Sequence, residues 1–147
     1  MAMRSSTTCN FMPNARRATA LVEMALALLL LMLLTMGAIE YGWLFLKQQQ
    51  ITNAARQAAR VASTADATNN SVNAQVKTLM DSYGMDSTVY TKSYSWGVKN
   101  DVSTVPRGTS LSVKISVNYG KITITNFKLL PMPATVSATV AMEKEGP

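Results

Sequence analysis

Histidine is absent from this chain, and cysteine occurs once, at Cys9. These absences remove the side chain that most often serves as a general base near neutral pH, a Cys/His zinc cluster, and any disulfide within the chain. No Gly-rich phosphate loop is present, and no pair of carboxylates stands out for acid–base work. Serines and threonines are plentiful, but none has an evident base beside it in sequence. Acidic residues are few, eight against fourteen lysines and arginines, for a formal charge of +6. The positive charges are scattered, whereas a nucleic-acid binder gathers them, often among aromatics. The expectation is a protein that is not an enzyme, with no cofactor, no metal ion and no nucleic-acid partner.

What the chain does have is a long apolar run. Met24 to Ile39 carries no charge, and from Leu21 to Leu46 only Glu23 and Glu40 interrupt. At 1.5 Å per residue that stretch reaches roughly 39 Å as a helix, more than the ~30 Å hydrocarbon core of a bilayer. A secretory signal has a shorter apolar core followed by a small-x-small cleavage site. The nearest match, Met36-Gly37-Ala38, has methionine where a small residue is required, so the run reads as a retained transmembrane helix. Tyr41, Trp43, Phe45 and Lys47 look like an interfacial belt at its far end, which places Glu40 at or beyond the headgroups. Arg4, Arg16 and Arg17 precede the run, and Lys47, Arg56 and Arg60 follow it. The tight Arg16-Arg17 pair directly against the membrane edge favours a cytoplasmic N-terminus. Glu23 is the anomaly, because a carboxylate placed so close to hydrocarbon ordinarily has a partner.

Beyond the run, "QQQITNAARQAARVAS" continues the helix, with Ile51, Ala55, Ala58, Ala59 and Ala62 at three- and four-residue spacings. Arg56 and Arg60 are i,i+4 neighbours. They read either as a docking pair for a partner or anionic lipid, or as the solvated edge of an alanine-packed helix. "TADATNNS", residues 64–71, breaks the pattern. A second helix follows, capped by Ser71, striped with Val72, Val76, Leu79, Met80 and Tyr83, and stopped by Gly84. The period then changes to two. "STVYTKSYSW" puts Tyr90, Lys92, Tyr94 and Trp96 on one side, which reads as packing or as an aromatic platform. "TSLSVKISVNY" alternates Leu111, Val113, Ile115, Val117 and Tyr119 with polar residues. Gly120-Lys121 fits a two-residue turn into a strand "ITITNF". "LLPMP" interrupts as a loop tip, and "ATVSATVAM" closes with Val136, Ala138, Val140 and Met142 inward. The expected fold is α+β: a long N-terminal transmembrane helix extending out of the membrane, then a short helix packed on an antiparallel sheet of about four strands.

The ordered set Arg16-Arg17, Val22-Glu23-Met24, the Leu-rich run, Glu40-Tyr41-Gly42, and Asn53-Ala54-Ala55-Arg56 with Ala59-Arg60 resembles the N-terminal region of TadE-like proteins. These are minor pilins or pseudopilins of the bacterial tight-adherence (Flp, type IVb) pilus system. The resemblance implies a prepilin peptidase that cuts between Ala18 and Thr19, making Glu23 the fifth residue of the mature chain. The family normally has glycine before the cut; here Ala18 stands there. Loss of Arg4, Arg16 and Arg17 with the leader would lower the side-chain charge from +6 to +3. The resemblance further implies that Glu23 pairs with the new α-amine of a neighbouring subunit. Glu40, Arg56 and Arg60 become candidates for partner docking. The implied organisation is a cytoplasmic leader at 1–18, a transmembrane helix at 19–46, a helix extension at 47–64 and an extracytoplasmic domain at 65–147. Implied partners are the inner membrane, the prepilin peptidase, other pilin-like subunits and pilus assembly proteins. The implied function is pilus biogenesis, surface adhesion and secretion. An uncleaved bitopic scaffold of the same machinery, and an adhesive or DNA-uptake minor pilin, are the alternatives.

Overall fold

The computed structural model describes residues 14–97, 101–124 and 131–145, with side chains from Arg17 onward. Arg4, Cys9, most of the expected leader and residues 125–130 lie outside them. The order is α1 (Asn14–Ser63), α2 (Asn69–Ser82), β1 (Tyr90–Ser95), β2 (Ser110–Asn118) and β3 (Thr135–Glu143), with 3-10 turns at Val102–Thr104 and Tyr119–Lys121. The chain divides into two compact units between Ala38 and Ile39.

The first unit is helical throughout its described part. Its large apolar side chains, Leu21 to Leu34, are exposed. By length and composition α1 is a candidate membrane span. The Thr35 hydroxyl bonds back to the Leu31 carbonyl, so its polar group is satisfied within the helix.

The second unit is α+β. Its sheet is antiparallel in the order β1-β2-β3. Alternation sets the faces: Leu111, Val113, Ile115 and Val117 of β2 are fully buried, in register with Met142, Val140, Ala138 and Val136 of β3. The opposite face carries Thr91, Ser93, Ser112, Lys114, Ser116, Ser137 and Thr139. The buried face forms one core with α2 and with residues 39–63 of α1. The helix contributes Ile51, Ala54, Ala55, Ala58, Ala59 and Ala62, all fully buried. Methyl-sized side chains let its backbone come close to its neighbours, which explains why the stretch is built of alanine. Residues 47–64 are thus part of the globular unit.

Thr68, three residues earlier than expected, caps α2. Its hydroxyl accepts from Ser71 N while the Ser71 hydroxyl accepts from Thr68 N, a reciprocal box. At the other end Gly84, at φ +72°, lets Met85 N reach Met80 O and Gly84 N reach Asp81 O, which closes the last turn. Tyr90, Tyr94 and Trp96 of the aromatic strand face the core. Tyr90 and Trp96 are buried, and Tyr94 stacks on Trp96 at 5.0 Å and donates to Asn73 Oδ1. Their ring faces form no exposed platform. Lys92 shares that side and stays exposed on the edge strand, where a charge discourages pairing with another chain.

Among the described residues the sheet has three strands, close to the about four expected. Residues 122–124, the start of "ITITNF", are not a strand. Asn118 Oδ1 accepts from Gly120 N, and the Tyr119 carbonyl accepts from both Ile122 N and Thr123 N. The chain therefore coils into a 3-10 turn instead of reversing into a hairpin. The remainder of that segment lies outside the described residues. Truncation at the sheet centre and on its far face should separate the two surfaces. Ile115→Ala is expected to cost about 2–5 kcal/mol of unfolding free energy and Ser116→Ala under about 0.5, read by denaturant titration of the full chain in detergent.

Candidate functional site

Within the second unit, α1 is fastened to the sheet at a buried carboxylate. Glu40 is 2% exposed. Its Oε1 accepts from the Tyr119 hydroxyl at 2.8 Å and also from the Thr123 hydroxyl. The 3-10 turn is what brings these two hydroxyls to one carboxylate, since it holds Tyr119 and Thr123 one turn apart. Burial, then the hydrogen bond to Glu40 and its charge, push the Tyr119 phenol from its ordinary 10.0 up to about 12. Two further ties adjoin this one. Trp43 Nε1 donates to Ile122 O at 2.6 Å, and the Tyr41 hydroxyl donates to Pro131 O at 3.2 Å.

Two buried lysines complete the fastening, each at the end of a helix. Lys47 donates to Tyr83 O at the C-terminus of α2 and lies 4.8 Å over the Trp43 ring. Lys144 donates to Ala62 O and Thr64 O at the C-terminus of α1, and Glu145 N bonds to Ser63 O beside it. Burial lowers the pKa of both lysines, with Asp66 opposing the shift at Lys144. Each ammonium sits at the negative end of a helix, where a cation is favoured and the last carbonyls lack helical donors.

Arg56 and Arg60 are exposed on the side of α1 away from its buried alanines. Ala18, Thr19 and Glu23 lie in the first unit, all exposed, and among the described residues Glu23 makes no ion pair. The two glutamates of the apolar run therefore differ. Glu40, expected at the headgroups and as a docking residue, is held inside its own fold; Glu23 presents its carboxylate outward. The residues that hold Glu40 had only faint marks in sequence. Tyr119 was legible as the end of an alternating strand, and Asn118-Tyr119-Gly120 is an Asx-turn signal, but nothing local connects them to position 40. Lys47 and Lys144 carry no signal of burial.

Tyr119→Phe is expected to lower stability by about 1–3 kcal/mol, because it strips a donor from a buried carboxylate. In a double-mutant cycle with Glu40→Ala most of that cost should disappear; additive losses would deny the coupling. Between pH 10 and 12 the folded chain keeps the Tyr119 proton that the unfolded chain releases. Its stabilisation is complete below the ordinary phenol pKa and is lost as pH rises through about 12. Unfolding midpoints should fall across that window, and less so in Tyr119→Phe. Tyr94, also raised to about 12 by burial, contributes a slope that remains in the variant.

Comparison with known proteins gives a family match. Residues 18–60 match the family model described as TadE-like protein. Neither curated proteins nor solved structures give a match. The matched stretch runs from Ala18 through Glu23 and Glu40 to Arg60, so it spans the exposed apolar helix and most of the helical part of the globular unit. A TadE-like segment points to a component associated with the tight-adherence pilus, and it falls inside the helix, Arg17–Ser63, that is a candidate membrane span. Residues 18–60 are thus similar to the TadE-like family, and a three-stranded α+β unit follows them in the chain.

Proposed function

We propose that the chain is a membrane-anchored minor pilin or pseudopilin-like structural component of a tight-adherence (Flp, type IVb) pilus assembly system. It acts in pilus biogenesis, and through it in adhesion and secretion, without catalysis of its own. The observation that carries this reading is Glu23: an exposed carboxylate on an exposed apolar helix, in a segment that matches the TadE-like family. A carboxylate in low dielectric is costly unless an opposite charge meets it. The new α-amine of a neighbouring subunit, freed by a prepilin peptidase at Ala18–Thr19, supplies that charge. The apolar helix then anchors the chain in the inner membrane before assembly and packs against other pilin-like subunits afterwards. The N-terminus is cytoplasmic and the globular unit extracytoplasmic. Arg56 and Arg60, exposed and one helical turn apart, are available for docking to assembly proteins.

One observation favours a second reading. Ala18 occupies the position where the family has glycine, and a chain that escapes the peptidase would serve as a bitopic scaffold of the same machinery. The adhesive or DNA-uptake reading is weakened, because the strand aromatics that would stack on a ligand lie in the core.

Intact mass and N-terminal sequencing of the protein from membranes decide between the first two. A chain beginning at Thr19 in cells with the matching peptidase, and lost when the peptidase is deleted, is the expected result. Glu23→Ala should then reduce assembly several-fold while membrane insertion is retained. Retention of residues 2–18 in both strains would replace the processed pilin with the scaffold.

A further inference from the structure

The side of α1 that faces away from the core changes character along the second unit. Ile39, Phe45 and Leu46 are exposed there, at 49%, 66% and 46%. A side chain at Gly42, between them, would meet nothing within 4 Å. From Gln49 onward the same side carries Gln49, Asn53, Arg56 and Arg60. Lys47 does not mark this change, because it is buried against Tyr83 O. An exposed helix face that is apolar through Leu46 and polar from Gln49 records the level at which a hydrocarbon-like surrounding gives way to water.

Among the described residues, the hydrogen bonds that fasten the segment between β2 and β3 to the helix attach below that level, whereas β3 and the residues after it attach further along, at Gln48 and at Ala62 to Thr64. Tyr119 and Thr123 hold Glu40, Pro131 O holds Tyr41, and Ile122 O holds Trp43. Residues 119–124 and Pro131 are therefore pinned beside the stretch of helix whose outer face is apolar. Ile124 belongs to this segment and is 52% exposed. Among the described residues beyond α1, it is the one large hydrophobic side chain that the fold leaves exposed. Elsewhere in the unit comparable side chains, such as Leu111 and Ile115, are wholly buried. The exposed apolar side chain thus occurs on the one edge that is tied to the apolar level of the helix.

We infer that this edge of the globular unit, residues 122–124 and Pro131, lies in the headgroup layer of the bilayer, with phospholipid covering the apolar surface of Ile39, Phe45, Leu46 and Ile124. The globular unit meets the membrane by these described residues. Three features favour lipid as the occupant. The surface is continuous in sequence with the apolar run. Tyr41 and Trp43 beside it are the amphipathic aromatics that settle at headgroup depth. Neither charge in that stretch of helix reaches the surface, since Glu40 and Lys47 are both turned into the fold. The inference rests on the reading of α1 as a membrane anchor.

The test uses the full chain with Cys9→Ser and single cysteines carrying an environment-sensitive fluorophore. The protein is reconstituted in phosphatidylcholine vesicles with or without a lipid spin-labelled near the top of its acyl chain. Ile124→Cys and Pro131→Cys are expected to lose more than half of their emission to the quencher. Ser93→Cys, on the solvent face of the sheet, should be unaffected. Leu31→Cys reports the anchor itself through a lipid labelled deep in the chain. If Leu31→Cys is quenched and both loop positions behave like Ser93→Cys, the headgroup contact is refuted and the anchor stands. If Leu31→Cys is not quenched, the anchor reading falls and takes this inference with it. Emission at Ile124→Cys that is blue-shifted but unquenched, and varies with protein-to-lipid ratio, would assign the surface to a second copy of the chain and overturn the inference.

Discussion

A carboxylate cannot be buried beside a helix unless something reaches back to satisfy it, and at Glu40 that requirement organises the globular unit. The donors come from Tyr119 and Thr123, 79 and 83 residues further along. To deliver them, the chain leaving β2 coils immediately, with Asn118 Oδ1 and the Tyr119 carbonyl taking the next backbone amides. A direct hairpin would have carried Thr123 away along a fourth strand. The tie to Glu40 and the coil at residues 119–123 are two views of one local event. Tyr119 serves both sides of it, since its own amide still bonds to Ala134 O and extends the ladder to β3.

The alanine face of α1 imposes the complementary constraint. Ala54, Ala55, Ala58, Ala59 and Ala62 bring the helix close to the core but supply little apolar area each, so packing alone holds the helix less firmly than a leucine stripe would. Polar ties stand at both ends of this stretch. Lys47 joins it to the C-terminus of α2 before the alanines begin, and Lys144 joins its last turn to the end of β3. Desolvation opposes both ammonium groups, and the lowered pKa of each reflects that. They persist because each meets carbonyls that no helical amide reaches, where the helix dipole favours a cation. Small side chains for closeness and charged caps for position are a consistent pairing.

Much of this was legible from periodicity. The alternation in β2 and β3 identified every inward residue, and the stripe of α2 named its buried side. Both patterns are local, and a buried face leaves its period in the chain. The caps were nearly legible: Ser71 was recognised, but the reciprocal partner Thr68 starts the helix. Ile122 and Thr123 alternate as a strand would, but the Ile122 carbonyl and the Thr123 hydroxyl are claimed by α1, which no window of sequence shows. The burial of Glu40 was hidden for the same reason. An acidic residue at the end of an apolar run reads as a boundary marker, and only the fold puts Tyr119 against it. Glu23 was legible as an anomaly, and its setting in the chain is consistent with that: exposed, with no ion pair among the described residues.

The contrast between the two glutamates carries a physical argument about what the helix is for. Two carboxylates in one apolar run carry the same solvation penalty in principle, and the chain handles them in opposite ways. At Glu40 the answer is internal and permanent: two hydroxyls, full burial, and a tie that fixes the domain to its helix. A residue so engaged is not available for exchange between subunits. Among the described residues Glu23 makes no ion pair, and a carboxylate held in a low-dielectric surrounding is costly without one. A position that keeps an unsolved charge is explained by a partner that solves it, and that partner must arrive with the opposite charge at the same depth. Under the proposed function, the α-amine of a neighbouring chain beginning at Thr19 would meet both conditions. Glu40 anchors the fold, which leaves Glu23 as the carboxylate that the proposed assembly would use.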